Sequence, residues 1–311
     1  MVKKLGIIVG IVALLSIIVG LGWGVNYLFN YAIVRGEKDF LSASEASGSQ
    51  GSDFSKWAFI KEEPTTLHQT SFDDLKLVAT HFKQSQEGTP KLAILSHGYG
   101  SDAEHMQDFG ELFYEMGYDL LVPDARAHGK SEGEYIGFGW PDRLDYVEWI
   151  KMMVDSYPDG VDIMLYGISM GGATVMMTSG EDLPDNVKVI IEDCGYDTVA
   201  NELSYQLKDM FNLPSFPLVP LTSVYSGIKA GYNFNEASSI DQLKKNTLPM
   251  LFIHGDADKF VPFEMLAKNY EATQGPKEKY VVKGAKHGTS FKDDREGYRN
   301  VVSQFLDKYM K

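Results

Sequence analysis

Gly167-Ile168-Ser169-Met170-Gly171 decides the reading of this chain, because it frames one serine between two glycines where one apolar run ends and another begins. Upstream, Val161-Asp162-Ile163-Met164-Leu165-Tyr166 follows the turn pair Asp159-Gly160 and has the length and composition of a short buried strand. Downstream, Gly171-Gly172-Ala173-Thr174-Val175-Met176-Met177 predicts a helix whose first turn lacks bulk and can pack close to a sheet. A sharp strand-to-helix turn at Ser169 exposes its hydroxyl and aims backbone N–H groups at the atom it meets. A serine hydroxyl alone is a weak nucleophile, so such a turn needs a base beside it. The pentapeptide also arises by chance as a Gly-rich turn, and its surroundings must carry the argument.

Composition narrows the partners. The 311 residues are 44% hydrophobic, which supports one large core, and the formal net charge of −14 argues against nucleic acid. The single cysteine, Cys194, permits neither an intramolecular disulfide nor a thiolate metal site. The histidines at 68, 81, 97, 105, 128, 254 and 287 include no His-x-x-x-His pair. Neither a metal nor another cofactor is expected.

The N-terminal part has a different character. No charged side chain occurs from Leu5 to Val34, a run long enough to cross the hydrocarbon core as a helix, and Trp23, Tyr27 and Tyr31 suit an interfacial belt. Residues 1–34 are therefore read as a signal-anchor, with a cleaved signal peptide and a secreted product as the alternative. Lys3 and Lys4 on one side and Arg35 and Lys38 on the other nearly balance. The short cationic tail staying inside puts the following domain outside the cytoplasm. Residues 35–56, rich in Ser, Gly and Ala, read as a tether, and the folded domain is expected over 57–311.

In that domain short apolar runs alternate with helical segments, the pattern of a mostly parallel sheet flanked by helices. Thr66 to Ser71 and Leu75 to Phe82 predict a hairpin, and Leu92 to Ser96, Asp119 to Val122, Val187 to Glu192, Met250 to His254 and Tyr280 to Val282 predict further strands. Helices are expected over Ala103 to Met116, Pro141 to Tyr157, Phe263 to Ala272 and Asp293 to Lys308. A segment at about 201–246, with many apolar residues among several prolines, is too long for a plain connection and predicts a cap over a site.

A serine elbow needs a base and an acid that fixes the base's tautomer. His254-Gly255-Asp256-Ala257-Asp258-Lys259-Phe260-Val261-Pro262 follows one buried run, and Gly284-Ala285-Lys286-His287-Gly288 follows the last. The order Ser169, Asp258, His287 is the order of one fold, and the chain resembles the α/β-hydrolase superfamily, in its serine aminopeptidase-like and carboxylesterase-like branch. The resemblance spans about residues 67–305 and rests on four motifs: His97-Gly98-Tyr99-Gly100, the elbow, the acid loop and the late histidine. It implies Ser169 as nucleophile, His287 as general base and Asp258 as acid, with Asp256 as the other candidate acid. It also implies an oxyanion hole from the backbone N–H groups of Tyr99 and Met170. His97 and His128 would shape loops, His81 and His254 would be structural, and His68 and His105 would be solvated. In Asp124-Ala125-Arg126-Ala127-His128-Gly129, Ala127 stands where the family often has glycine, which leaves the path of that loop open.

The expected function is hydrolysis of a carboxylic ester or thioester through an acyl-enzyme, on a small-molecule substrate that suits an apolar cap. Peptidase action on short peptides is the alternative, for which Glu192, Asp193 and Glu202 could bind an amine if they face the pocket. A non-catalytic binding module is the alternative of another class, since the fold alone does not establish activity.

Overall fold

The structure, a computed structural model, describes residues 2–36, 54–84 and 88–310. Of the expected tether, residues 37–53 lie outside the described residues. Eight strands form one sheet: β1 (Thr65–Thr70), β2 (Lys76–Phe82), β3 (Lys91–Ser96), β4 (Asp119–Pro123), β5 (Asp162–Ile168), β6 (Val187–Asp193), β7 (Met250–Gly255) and β8 (Lys277–Val282). Their order is β1-β2-β4-β3-β5-β6-β7-β8, with β2 antiparallel to both neighbours and every pair from β4 onward parallel.

The apolar runs of β3 to β7 became strands buried on both faces, as the inner strands of a parallel sheet require, whereas the edge strand β8 leaves Val281 exposed. Along β5, Ile163 and Leu165 belong to one core while Met164 and Tyr166 belong to the other, and all four are fully buried. Ten helices are described: α1 (Val2–Ala32), α2 (Gln107–Glu115), α3 (Asp142–Ser156), α4 (Met170–Thr178), α5 (Val199–Phe211), α6 (Leu218–Lys229), α7 (Ser239–Leu243), α8 (Glu264–Ala272), α9 (Ser290–Asp293) and α10 (Arg295–Tyr309). Phe109 and Phe113 of α2 and Tyr298, Val302 and Phe305 of α10 cover one face. Trp149 of α3, Met176 of α4, Leu243 of α7 and Leu266 of α8 cover the other.

Two expectations changed in detail. The helix expected over Ala103 to Met116 opens as a 3-10 turn, Ala103–Met106, capped by the Asp102 side chain on the Glu104 amide, before α2 begins. The expected cap segment divides: α5 and α6 share a third apolar cluster with Met170, Tyr196 and Phe234, whereas Leu243 of α7 packs into the sheet's own core.

α1 has two parts. From Leu5 to Val19 its apolar side chains are exposed, and among the described residues it is the one helix long and apolar enough to cross a membrane. Its last two turns instead pack against the sheet domain: Val25, Phe29 and Ile33, spaced four apart, are buried. Phe29 meets Tyr225 of α6 at 4.9 Å and Tyr135 at 5.4 Å. Backbone bonds fix the exit, with Ile136 N donating to Ile33 O at 2.7 Å and Arg35 N to Glu134 O at 2.8 Å. The Arg35 guanidinium closes the junction on the carbonyls of Gly129 and Ser131, both at 2.7 Å.

This packing predicts that Phe29→Ala in the full chain in detergent lowers unfolding stability by about 3 kcal/mol, the usual loss for a buried phenylalanine. Val12→Ala, on the exposed stretch, should stay within about 0.5 kcal/mol. Thermal unfolding followed by circular dichroism checks both, and equal effects would detach the end of α1 from the domain.

Candidate active site

Ser169 occupies the turn between β5 and α4 with φ 57° and ψ −119°, backbone that L-residues rarely adopt. The turn survives because its neighbours lack side chains. A Cβ on Gly167 would lie 2.1 Å from the Gly171 carbonyl oxygen, and one on Gly171 would lie 2.0 Å from the Ser96 carbonyl oxygen. The Ser169 amide donates to Asp193 O at 2.8 Å, which ties the elbow to the end of β6. Although Ser169 caps α4 by position, its hydroxyl makes no capping bond.

That hydroxyl meets His287 instead. Ser169 Oγ and His287 Nε2 are 2.8 Å apart, and His287 Nδ1 is 2.8 Å from Asp258 Oδ2. Burial would raise the Asp258 carboxyl, but hydrogen bonds from His254 and His287 outweigh it and hold it at about 2. Its second oxygen accepts the amides of Phe260 at 2.8 Å and Val261 at 3.0 Å. The structure thus brings together Ser169, Asp258 and His287. Asp256 is exposed and accepts the Gly284 amide, away from His287. Cys194 lies close to Asp258 and His287, but burial pushes its thiol well up, so it keeps its proton and offers no thiolate.

The loop after β3 approaches the serine closely: a Cβ on Gly98 would meet Ser169 Cβ at 3.5 Å. Tyr99 follows it, and Met170 is the first residue of α4, whose opening amides have no intrahelical acceptor. His97 is buried, with Nε2 accepting the Ala125 amide at 2.9 Å. His128 accepts the Gly100 amide at 3.2 Å, and burial lowers it to about 3. Ala127 takes φ 60°, the left-handed geometry for which glycine is the usual residue, so the loop keeps that path at the cost of strain. Arg126 beside it is buried between Asp145 at 2.8 Å and Asp73 at 2.9 Å.

Two histidines differ from expectation or exceed it. His105, expected in solvent, is partly buried with Nδ1 2.6 Å from Asp102 Oδ1, a pairing made by the capping turn. His254 is fully buried and 3.2 Å from Asp258 Oδ2, so it is a second imidazole on the same carboxylate. Its i, i+4 spacing in His254-Gly255-Asp256-Ala257-Asp258 was the available signal.

Comparison with known proteins places this geometry. The profile of the prolyl oligopeptidase family matches residues 138–311, more than half of the chain, and that of serine aminopeptidase S33 matches residues 70–192. The chain belongs to the α/β-hydrolase superfamily. The Bacillus subtilis protein YqkD, uncharacterised, is 25% identical over 305 residues, which is 98% of this chain and 97% of YqkD. Human monoglyceride lipase is 36% identical over 121 residues, 37% of this chain and 38% of that enzyme. The solved structure of the Pyrococcus furiosus esterase Pf2001 is 25% identical with a TM-score of 0.65, covering 84% of this chain and 97% of that one. This α/β-hydrolase is thus an esterase-, lipase- or peptidase-like hydrolase.

In the hydrolase Ser169 stands between two spaces that differ in polarity. One is an apolar cavity of about 810 Å³, its open mouth included, lined by α1, α5 and α6 through residues such as Tyr31, Leu207, Phe211 and Val219. The other is a groove of mixed lining, where Ser101, His105, Asp108, Thr289 and Lys292 stand beside Met106, Phe109 and Phe291. Tyr99, Ser169 and Phe260 border both.

Of the three acids considered for an amine, Glu192 and Asp193 are buried beneath the elbow, on the Gly195 amide and the Tyr298 hydroxyl, and line neither space. Glu202 lines the apolar cavity. Gln206 donates to its Oε1 at 2.8 Å, while Oε2 is buried with no hydrogen-bond partner. Burial pushes this carboxyl up to about 8 despite the Gln206 bond.

The folded hydrolase therefore holds a proton on Glu202 that an unfolded glutamate releases near pH 4.5, and this site costs stability as pH rises through about 8. Glu202→Gln should remove that loss. Its advantage over wild type in thermal unfolding is expected to grow by a few kcal/mol between about pH 5 and pH 8. A constant difference across that range would mean that water solvates the carboxyl.

Proposed function

We propose that this hydrolase is a membrane-anchored serine esterase in which His287 takes the proton of Ser169 as the hydroxyl attacks an ester carbonyl. The observation that carries the reading is the line Ser169–His287–Asp258, with both links at 2.8 Å, set between an apolar cavity and a groove of mixed polarity. In the reacting tautomer Nε2 is unprotonated and Nδ1–H donates to Asp258, whose carboxylate stabilises the imidazolium that forms without taking its proton. Backbone N–H groups of Tyr99 and Met170 would hold the oxyanion, and water admitted from the groove would release the acyl group.

The cavity favours an apolar acyl group, so carboxylic ester or thioester hydrolysis leads. Aminopeptidase-like action is the second reading, and Glu202 favours it: a buried carboxyl with one unpartnered oxygen could receive a substrate amine. Packing of Phe29 and Ile33 argues against a cut beyond them, which would remove one wall of the cavity, and the charge-free run from Leu5 to Val34, long enough to span, supports retention of all of α1 as an anchor. The short Lys3-Lys4 end then supports a cytoplasmic N-terminus and an extracytoplasmic catalytic domain.

The full chain in detergent should label with a fluorophosphonate probe and lose labelling in Ser169→Ala; a folded but unlabelled wild type would sink the reading. Asp258→Asn should lower turnover by roughly three to four orders of magnitude. Asp256→Asn should leave it within about threefold, as for a loop residue outside the site. Comparing p-nitrophenyl esters with aminoacyl anilides separates the two substrate readings, since Glu202→Gln should spare the esters and abolish any anilide turnover.

A further inference from the structure

Two charge-free stretches of this chain expose apolar side chains, and the fold brings them together. The first is Leu5 to Val34; the second runs from Met210 to Ile228, in a chain that is 23% charged overall. The second stretch is not hidden in a core. Leu213 is 42% exposed, Phe216 76%, Leu221 41%, Val224 62% and Ile228 75%. On α6 the buried residues Val219, Thr222, Ser223 and Ser226 form the inner face, so Leu221, Val224 and Ile228 lie on an outer apolar face.

That outer face adjoins α1. A Cβ on Gly24 would lie 3.3 Å from Leu218 Cδ2, Tyr225 reaches Asn26 at 3.5 Å, and Phe29 packs on Tyr225. The contact falls at the level of Trp23 and Tyr27, stacked at 5.5 Å and both exposed, where α1 carries the ring types that gather at a membrane surface. An apolar surface of this extent on a soluble flank calls for a partner, and the surface it continues is that of the membrane-length helix itself.

The same elements wall the cavity above Ser169. Leu28, Tyr31 and Ala32 come from α1, Met210 and Phe211 from the end of α5, and Val219 from α6. The Phe211 ring meets Tyr31 at 5.4 Å and Tyr27 at 6.3 Å, so the seam between α1 and the cap is made of apolar rings. Across the serine, the groove is mixed and supplies the polar groups that the cavity lacks, among them His105, Asp108 and Lys292.

We propose that segment 210–228 rests in the bilayer surface beside α1, and that the cavity takes the acyl chain of a single-chain lipid ester drawn sideways from that bilayer. The ester's small polar alcohol then lies in the groove. This deepens the serine-esterase reading and rests on it. The ester bond crosses Ser169, the acyl chain passes to the serine oxygen, and the alcohol leaves into the groove with the proton from His287.

The test uses the full chain reconstituted in phosphatidylcholine vesicles, with two substrates: a palmitoyl glycerol monoester in the bilayer and p-nitrophenyl acetate in the water. The double variant Phe216→Glu, Ile228→Glu should lose about tenfold on the bilayer ester, equivalent to roughly 1.4 kcal/mol. It should keep p-nitrophenyl acetate turnover within about twofold, because neither residue lines the site. Phe216→Trp, which keeps an apolar ring, should retain both rates. Unchanged turnover of the bilayer ester in the double variant overturns the proposal, as does a parallel loss on both substrates. Persistence of p-nitrophenyl acetate hydrolysis in Ser169→Ala would instead overturn the serine-esterase reading, so the two failures are distinguishable.

Discussion

The missing side chains at Gly167 and Gly171 are the constraint on which the rest of the site depends. They let β5 turn back under α4 so tightly that the Gly171 backbone touches the carbonyl end of β3. Any Cβ there would lie about an ångström inside contact distance of backbone that cannot move, because β3 and β5 are paired from Lys91 to Ser96. The close approach holds Ser169 in its strained conformation and leaves its hydroxyl uncapped. The ladder does the rest. β3, β5, β6, β7 and β8 are parallel, so their C-terminal ends share one edge, and the loops carrying Gly98, Ser169, Asp258 and His287 converge there.

A second constraint is electrostatic. Asp258 is buried, yet its carboxyl sits at about 2, because two imidazoles and two backbone amides surround it. Removing water from a carboxylate is costly unless such partners replace it, and here they also point the carboxylate at His287. His254 is fully buried, with Nε2 3.2 Å from Asp258 Oδ2 and 3.1 Å from the Val261 carbonyl, a placement suited to positioning the carboxylate. Glu202 has the reverse environment. With one weak partner and an apolar surround, it keeps its proton to about pH 8, so two acids in one site differ in charge at neutral pH.

The parts legible in the sequence were those whose cause is local. A glycine that must avoid a carbonyl, or an aspartate three residues before Val261-Pro262, leaves its mark within a few positions and points to Ser169 and Asp258, whereas His287 was legible from its place after the last strand and the order of the motifs. The alternation of strands was also legible, because residues buried on both faces form continuous apolar runs. What could not be read was orientation within uniformly apolar segments. Val25, Phe29 and Ile33 are apolar like Ile7, Val12 and Val19, yet the first three are buried in protein and the others are exposed. Only the partner surface distinguishes them, and that surface comes from α6 and Tyr135, more than a hundred residues away. For the same reason the inward aim of Glu202 was open until α5 was placed.

The junction of α1 with the domain also bears on the order of the proposed chemistry. An acyl-enzyme at Ser169 would have to admit water at the carbonyl, and the cavity side, lined by Phe138, Met170, Tyr196 and α1, is almost wholly apolar. The groove side carries the polar groups and is bounded by His287 itself, so the water that His287 would activate and the departing alcohol would share one route. The alcohol must therefore leave before water can take its place, while the acyl chain stays held on the other side. In the proposed reaction the two steps would be separated by geometry, with the apolar product returning along the wall that α1 and the cap provide.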